Sequence, residues 1–391
     1  MTRETYTIHP AEQVGLFSKS IEALVERAQR GVDEGPLPSV QIALARKGKL
    51  ALFTSLGDAD NSCRYNIFSC TKGIVAAAVW KLMGLGKVNI HRPVSEIIPE
   101  FSGDGKERIT TEQLLCHTAG IPHAPMGPPE WLNREDRLLK MQSWRLNWEP
   151  GSRMEYHSNS AHWVLAEIIE RASGLDYRQY IHQSILAPLG LTDFQLGVPL
   201  EQQQDIATLS PVGAPPTPQE LEQIFGVAVE WPVLSDDILL RFNEPQTRAL
   251  GVPGGGAIAN AASIALFYQA LLHNTEKLWD HNILEDATSA IRVSMDDPNI
   301  GLPANRGLGI VIAGNDGMGA RRGMGRTSSE KTFGHQGAGG QVAWADPVSG
   351  ISFCLLTNGL DANPIRAARF GTALSNRAAQ CHVAVDDSDR H

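Results

Sequence analysis

Cysteine is scarce and irregularly spaced in this 391-residue chain. The five cysteines are scattered, and no two of them form a CxxC pair. An odd number without paired spacing argues against a disulfide framework and predicts reduced thiols, as in a cytoplasmic protein. Cys70 could be mistaken for a nucleophile, but its neighbour Ser69 has a lysine at helical spacing. We therefore interpret Cys70 as a packing residue.

Long apolar runs and an excess of positive charge are also missing. No apolar stretch reaches the roughly 18 residues that cross a bilayer, and residues 1–6 lack the apolar core of a secretory signal. We expect a cytoplasmic protein without membrane association. The formal net charge of −9 argues against nucleic acid as a partner. Composition leaves the oligomeric state open.

Motifs that hold metals or nucleotides are absent as well. There is no HExxH, and neither His117 nor His123 has a carboxylate at ligand spacing, so both are interpreted as structural or surface histidines. The triple glycine 254–256 lacks the GxxxxGK[ST] pattern and indicates close backbone packing instead. The sequence therefore predicts no metal and no cofactor. No GxSxG occurs, which argues against an α/β-hydrolase.

The sequence does contain a serine followed three residues later by a lysine. Ser69 and Lys72 open an alanine-rich run without proline before Pro93, which favours a helix that begins at or just before Ser69. Residues three apart share a helix face, and a buried lysine with a lowered pKa can take a serine proton. The free N–H groups of a helix start can hold an oxyanion. The alternative is a serine N-cap followed by a surface lysine.

The remaining pattern predicts a mixture of helices and strands. Residues 87–250 are rich in loops, helices and proline, and residues 210–235 are interpreted as a surface excursion over the site. The tail 386–391 is expected to be disordered. The other predicted elements are a helix over 11–31, a hairpin from strands 40–45 and 50–54, a helix opened by the triple glycine, one glycine-dense strand over 331–344, a buried strand over 351–357 and a final helix over 362–379.

Two further motifs complete a constellation. Tyr156 to Ser158 reads Y-x-S just before a predicted helix, and His335 to Gly337 reads H-x-G on the glycine-dense strand. Tyr156 alone could be surface packing, or a phenol that exchanges protons beside a nucleophile. With S-x-x-K, the three motifs occur in the order of the serine β-lactamase and penicillin-binding-protein-like superfamily, which this chain resembles. It looks closest to the class C β-lactamase-like branch, with its relatives the family VIII carboxylesterases and D-aminopeptidases.

The resemblance covers roughly residues 15–380 and implies an α+β fold. An antiparallel sheet flanked by helices, the β-lactamase-like α/β sandwich, would be formed by residues 1–86 and 251–391. An all-helical domain over residues 87–250 would be inserted between them. The active site is expected in the cleft where the two parts meet.

The resemblance also implies roles for individual residues. Ser69 would attack an acyl carbon, while Lys72 and Tyr156 share proton transfer as a coupled pair. The backbone N–H groups of Ser69 and Ala338 would form the oxyanion hole, and water would release the acyl group. The residues implied in substrate binding are Ser158, His335, Gln336 and Gly337.

Two positions depart from the pattern of the β-lactamases. Ser158 stands where many members have asparagine, and His335 to Gly337 stand where the β-lactamases usually have Lys-Thr-Gly. Histidine is largely neutral at pH 7, so it does not supply a fixed positive charge for a substrate carboxylate. Serine also reaches less far than an amide. Both changes weaken recognition of a penicillin-like substrate and are compatible with a simple ester.

We therefore predict a serine carboxylesterase that acts on small or medium acyl esters as small-molecule substrates. The alternatives with the same site are a β-lactamase, a D-aminopeptidase or amidase, and an acyltransferase. The alternative from another class is a catalytically inactive binding or sensor protein. The sequence does not give the acyl length or the alcohol. Candidate residues for an apolar wall are Trp131, Trp144, Trp148, Trp231 and Phe225, with core or surface packing as the other interpretation.

Overall fold

The computed structural model describes residues 6–225 and 237–383, in which helices and strands alternate along the chain. The strands are β1 (Ser39–Arg46), β2 (Lys49–Gly57), β3 (Tyr65–Asn66), β4 (Gln195–Leu196), β5 (Ser210–Val212), β6 (Ala257–Ala259), β7 (Asp296–Asp297), β8 (Leu302–Pro303), β9 (Val311–Ile312), β10 (Phe333–Gly337), β11 (Gln341–Asp346), β12 (Ile351–Thr357) and β13 (Gly359–Asp361). The α-helices are α1 (Ser18–Asp33), α2 (Thr71–Gly84), α3 (Thr111–Leu115), α4 (Arg134–Ser143), α5 (Ser160–Ser173), α6 (Tyr177–Ile181), α7 (Pro218–Phe225), α8 (Asp237–Leu240), α9 (Pro245–Leu250), α10 (Ala261–His273), α11 (His281–Ser289) and α12 (Pro364–Gln380).

Both ends of the described chain contribute to one six-stranded antiparallel sheet. Its strand order is β2-β1-β12-β11-β10-β9. The pairing of Val40 with Thr357 joins the early hairpin to the late strands. The sheet is therefore antiparallel and flanked by helices, and the predicted fold class is confirmed.

Alternation along the strands divides the core into two layers, because successive side chains of a strand point to opposite faces. Val40, Ile42 and Leu44 of β1 lie in the apolar cluster with α1 and α12. Ala43 and Ala45 lie in the other cluster, with α2 and α10. Their small side chains allow α10 to pack close to the sheet, so the sheet is sandwiched between two helical layers.

Helix α2 lies in the middle of the larger core. Every residue from Thr71 to Trp80 is buried. A helix that is apolar all round can only be stable when it is surrounded on all sides. Trp80 fixes its position further, because the indole N–H donates to the carbonyl of Leu308 at 3.0 Å. A single 3₁₀ turn, Phe68–Cys70, leads into this helix and carries Ser69.

The structure differs from the sequence-based expectations in three places. The single strand expected over 331–344 is the hairpin of β10 and β11, because Gly339 and Gly340 adopt positive φ angles of 71° and 91° and turn the chain. The triple glycine leads first into β6 and only then into α10. Finally, residues 87–250 are not all helical.

Two short strands from that middle segment, β4 and β5, pair with strands outside it. β4 pairs with β6 and β5 with β13. These pairings tie the segment to the rest of the chain, and the domain division at residues 86 and 250 stays a prediction. Within the described ranges, no helix combines the length and the apolarity that crossing a membrane requires.

Candidate active site

Ser69 lies on a constrained turn that leads into the buried helix α2. The residue before it, Phe68, has a φ of +43°, which is uncommon for a bulky side chain. The Asn66 side chain supports this conformation, since its Oδ1 accepts the Phe68 N–H at 2.9 Å. Such strain persists only where the surroundings over-determine it, and it is concentrated at functional sites. The turn leaves the side chain of Ser69 partly exposed while both neighbours are buried.

Two side chains meet at this serine, one from the next helical turn and one from a distant part of the sequence. Tyr156 Oη lies 2.7 Å from Ser69 Oγ, and Lys72 Nζ lies 3.2 Å from the same atom. Both distances are within hydrogen-bonding range. The hydroxyl, amine and phenol therefore form one connected group, although 87 residues separate the serine from the tyrosine.

The contacts of Lys72 indicate how its protons are arranged. Its side chain is fully buried, and Nζ also lies 2.9 Å from the carbonyl oxygen of Ser158 and 2.6 Å from that of Gly254. Each carbonyl can only accept, so two amine protons are donated there. Burial lowers the pKa of Lys72 well below its ordinary value, and the charge of Arg306 lowers it further. In the neutral amine the remaining lone pair faces Ser69 Oγ.

Tyr156 lies on a loop that is held in place by the hydrogen bonds of two buried histidines. His117 Nδ1 accepts the backbone N–H of His157 at 3.0 Å, and the His117 carbonyl accepts the N–H of Glu155. His157 Nε2 in turn accepts the N–H of Ile121 at 3.0 Å. Burial raises the pKa of Tyr156 to about 12, although the hydrogen bond to Ser69 and the charge of Arg306 oppose this rise. The phenol is therefore protonated at neutral pH and donates to Ser69 Oγ.

The third motif faces inward at its histidine and outward at its glutamine. His335 is 5% exposed, its Nδ1 lies 2.6 Å from the Gln336 carbonyl, and its Nε2 lies 3.2 Å from Arg306 Nη1. The carbonyl must accept and the guanidinium must donate, so the ring is the neutral Nδ1–H tautomer. Burial and the charges of Arg306 and Lys72 lower the pKa of His335 well below its ordinary value.

The other residues implied in substrate binding differ in their exposure. The side chains of Ser158 and Gln336 are exposed, and Gly337 and Ala338 are partly exposed. Strand β10 lies beside the serine turn, because the Cys70 thiol donates to the His335 carbonyl at 3.1 Å. Burial raises the pKa of this thiol to about 12, which keeps it un-ionised at neutral pH. Ala338 follows β10 directly, so its backbone lies on the same side of the site as β10 and the turn that carries Ser69.

Sequence reasoning missed two residues that the structure places at the site. Arg306 is buried beside Tyr156, and a lone arginine in a glycine-rich loop carries no readable signal. Gly254 supplies one carbonyl to Lys72. A Cβ at residue 254 would lie 2.7 Å from the Ser158 carbonyl oxygen, so only glycine fits there. The triple glycine had indicated close packing, but not which lysine it surrounds.

Other candidate residues from the sequence are packed in the core, lie on the surface or fall outside the described part of the chain. Trp131 and Trp144 are buried in the main core, whereas Trp231 and the side chain of Phe225 lie outside the described part of the chain. The expected excursion over 210–235 also falls partly outside it. His123 is exposed and lies 3.1 Å from a Glu155 carboxylate oxygen. In residues 6–225 and 237–383, no three His, Cys, Asp or Glu residues are grouped to hold a metal ion.

A helix-sheet-helix sandwich with a serine, a lysine and a tyrosine in hydrogen-bonding contact defines the class of serine enzymes with the β-lactamase fold. The family model described as Beta-lactamase matches residues 22–376 of this chain. The chain therefore belongs to the Beta-lactamase family.

The names of individual relatives refer to several activities. The chain is 24% identical over 312 residues to "Esterase/beta-lactamase LipL" of Mycobacterium tuberculosis, covering 75% of this chain and 69% of that protein. The solved structure of EstA from Arthrobacter nitroguajacolicus Rue61a is 22% identical, covers 93% of this chain and 98% of its own, and gives a TM-score of 0.76. A structure titled as a family VIII carboxylesterase is 21% identical with the same coverage of each chain and the same TM-score. At these identities the structures show the fold.

Proposed function

We propose that this protein is a serine hydrolase that cleaves small or medium carboxylic esters through an acyl-enzyme formed on Ser69. The observation that carries the proposal is the Lys72 amine. Its Nζ donates to two backbone carbonyls and lies 3.2 Å from the serine hydroxyl, so in the neutral amine the remaining lone pair would face that hydroxyl. A serine hydroxyl needs a base to become nucleophilic, and this amine is buried and held in place to serve as that base.

Acylation follows from these contacts. As Ser69 Oγ forms a bond to the ester carbon, its proton moves to Lys72 Nζ. Negative charge develops on the carbonyl oxygen, which the backbone N–H groups of Ser69 and Ala338 would stabilise. When the bond to the alcohol oxygen breaks, Tyr156 Oη gives its proton to that oxygen, and the ammonium of Lys72 transfers a proton to the resulting phenolate.

Deacylation uses the same groups in reverse. Water attacks the acyl carbon and gives its proton to the Lys72 and Tyr156 pair. The bond to Ser69 Oγ then breaks, the serine takes back a proton and the carboxylic acid leaves. Because the two groups exchange protons across one oxygen, their titration belongs to the pair and not to either residue.

The third motif supports an ester rather than a penicillin-like substrate. A neutral, buried imidazole stands at the position where a fixed lysine charge would meet a substrate carboxylate. The structure titled as a family VIII carboxylesterase supports the same assignment, whereas LipL is named as both an esterase and a β-lactamase. A simple ester carries no carboxylate and does not need that charge.

The experiment compares the wild type with Ser69→Ala. We expect Ser69→Ala to abolish hydrolysis of a short-chain p-nitrophenyl ester while the thermal unfolding profile stays that of a folded protein. Intact mass after a fluorophosphonate probe should show one adduct on the wild type, and peptide mapping should place it on Ser69. Cys70→Ala keeps the serine and should still form the adduct.

Ester hydrolysis by folded Ser69→Ala would refute the proposal, and absence of the adduct in the wild type would favour a binding or sensor protein. The substrate class is tested with nitrocefin, a D-amino-acid amide and esters of graded acyl length. A higher kcat/KM for nitrocefin or the amide than for every ester would replace the ester assignment. Product analysis with an added alcohol detects acyl transfer.

A further inference from the structure

Arg306 is a buried cation that faces the catalytic group from behind. Its guanidinium carbon lies 5.2 Å from the centre of the Tyr156 ring, and Nη1 donates to His335 Nε2 at 3.2 Å. The residue as a whole is 7% exposed. A guanidinium at this distance from an aromatic face is attracted to it. Arg306 therefore contacts two of the predicted site residues at once.

The charge of Arg306 is only weakly compensated. Its nearest carboxylate oxygen, Asp297 Oδ2, is 3.9 Å from Nη2, and Asp297 Oδ1 accepts two hydrogen bonds from Asn299. The Nε of Arg306 has no hydrogen-bond partner among the described residues. A buried charge without a close counter-ion is costly, and its field is little screened.

The backbone fixes where this charge lies. Arg306 exchanges hydrogen bonds with Val293, its N–H donating at 3.0 Å and its carbonyl accepting at 3.2 Å. It also bridges to Val311, next to the sheet edge that carries His335. The side chain is thus anchored on regular structure, so the field at Tyr156 and Lys72 has a fixed origin.

We propose that Arg306 is a positioning residue that holds His335 and the Tyr156 ring in place and fixes a positive charge near Lys72, whose Nζ lies 5.0 Å from the centre of the same ring. This inference rests on the proposed function, because it assigns the source of the field in which Ser69 loses its proton. A positive charge near an amine disfavours the ammonium, and near a phenol it favours the phenolate. Arg306 has both effects on the pair.

Several titratable groups share this region, and each must be considered in a pH experiment. At pH 7 these groups add little charge. The buried histidines and thiols are neutral, and Asp297 is the one carboxylate close to Arg306 among the described residues. The groups that interact with the charge of Lys72 or Arg306 are Cys70, Cys116, His117, Tyr156, His162, Asp297 and His335.

The test measures the rate at which a fluorophosphonate modifies Ser69, as a function of pH, in Arg306→Gln and in the wild type. Without the guanidinium the pKa of Lys72 rises, so we expect the acidic limb of the profile to move to higher pH. The rate at neutral pH should fall on the order of tenfold. Arg306→Lys keeps a charge and should keep the limb near its wild-type position. The matched control is Arg137→Gln, which removes a buried guanidinium 5.3 Å from the Trp163 ring, and it should leave the limb unchanged.

A purely structural role for Arg306 would lower the rate at every pH without moving the limb, and that result in folded protein overturns the inference. If Arg306→Gln does not fold, the pH profile is measured in Asp297→Asn, where a shift in the opposite direction is expected. It removes the nearby negative charge, so the profile should move to lower pH, and an unmoved profile there also overturns the inference. Absence of labelling in the wild type would instead contradict the proposed function, so the two failures are distinguishable.

Discussion

At the residue level, the proposed chemistry depends on one amine whose burial disfavours its charged form. Among the described residues, Lys72 has no carboxylate beside it; its Nζ contacts two carbonyl oxygens and a hydroxyl, lies 5.0 Å from the centre of the Tyr156 ring and is in the positive field of Arg306. Two carbonyls can orient an ammonium but do not neutralise it. The two carbonyl groups therefore fix the position of Nζ, while burial and the charge of Arg306 favour its neutral form. Position and protonation are set by different groups.

Replacing Lys72 with methionine tests this assignment. Lys72→Met keeps an unbranched chain of similar length and removes the amine. We expect ester hydrolysis to fall on the order of 10²–10⁴-fold, the range for loss of a positioned acid or base. The measurement is kcat/KM with a p-nitrophenyl ester. The Ser158 and Gly254 carbonyls would lose their donor, so a modest loss in unfolding free energy should accompany the change.

A lysine on the same helix provides the control. Lys81 of α2 is half-buried and donates to the Ser184 carbonyl at 2.8 Å, away from Ser69. Lys81→Met should keep wild-type activity within about twofold. If Lys72→Met and Lys81→Met hydrolyse the ester equally well, Lys72 is not the base.

At the scale of secondary-structure elements, the site depends on a close approach between β10 and the turn that carries Ser69. Gly337 makes this approach possible. Its φ of −115° is open to any residue, so its requirement is spatial and not conformational. A Cβ there would lie 2.5 Å from the Ile67 carbonyl oxygen and 3.0 Å from the Gln341 Cβ. Backbone and strand would both have to move.

Gly337→Ala should therefore separate the strand from the serine turn. We expect a loss of about 1–3 kcal/mol in unfolding free energy, as for other overpacked sites. Ester hydrolysis should fall on the order of tenfold or more, because the Ala338 N–H would move away from the oxyanion. Urea unfolding and kcat/KM are the measurements. Gly127→Ala is the matched control, since a Cβ there meets nothing within 4 Å. Wild-type stability and activity in Gly337→Ala would contradict the close approach.

The elements that the sequence predicts best are those with a strong local pattern. Helix α1, the β1–β2 hairpin, β12 and α12 follow from periodicity, and the Ser69 helix follows from its alanine-rich run. The β10–β11 hairpin was missed because glycines at 339 and 340 were interpreted as an open strand edge, whereas their positive φ angles form the turn. Local pattern does not report which glycines reverse the chain.

The site residues also differ in how well the sequence predicts them. The spacing of Ser69 and Lys72 suggested contact along one helix, and the structure has that contact. Tyr156 came from order and resemblance, since no local signal links residues 87 positions apart. Arg306 could not be found from the sequence, because its importance comes from where the chain folds and not from its neighbours. The roles of these residues stay predictions for the experiments above.

At the scale of the whole molecule, the fold buries an unusual set of neutral histidines around the site. His117, His157, His162 and His335 are each at most 5% exposed. They come from the end of α3, the Tyr156 loop, α5 and β10, so only the assembled chain brings them together. Burial lowers the pKa of all four, that of His157 to about 4. Protonating His117, His162 or His335 in place would add a positive charge near Arg306.

This burial makes stability depend on pH. The unfolded chain takes up protons on these histidines below about pH 6.5, while the folded protein does not. The free energy of unfolding therefore falls as pH decreases from about 6.5 towards the folded pKa values, and it is fully present above that window. Four protons correspond to a slope of up to roughly 5 kcal/mol per pH unit. Urea unfolding at about pH 7.5, about 6.5 and about 5.5 measures it.

The number of protons can be tested with single variants. His162 has no hydrogen-bond partner for either ring nitrogen among the described residues, so His162→Leu removes a titratable group without breaking a bond. We expect the slope to decrease by about one proton, roughly 1.4 kcal/mol per pH unit. His281→Leu is the control, because the side chain of His281 is 81% exposed, and it should leave the slope unchanged. Equal slopes for both variants, or a stability that does not change between about pH 7.5 and about pH 5.5, would show that these imidazoles are not kept neutral by the fold.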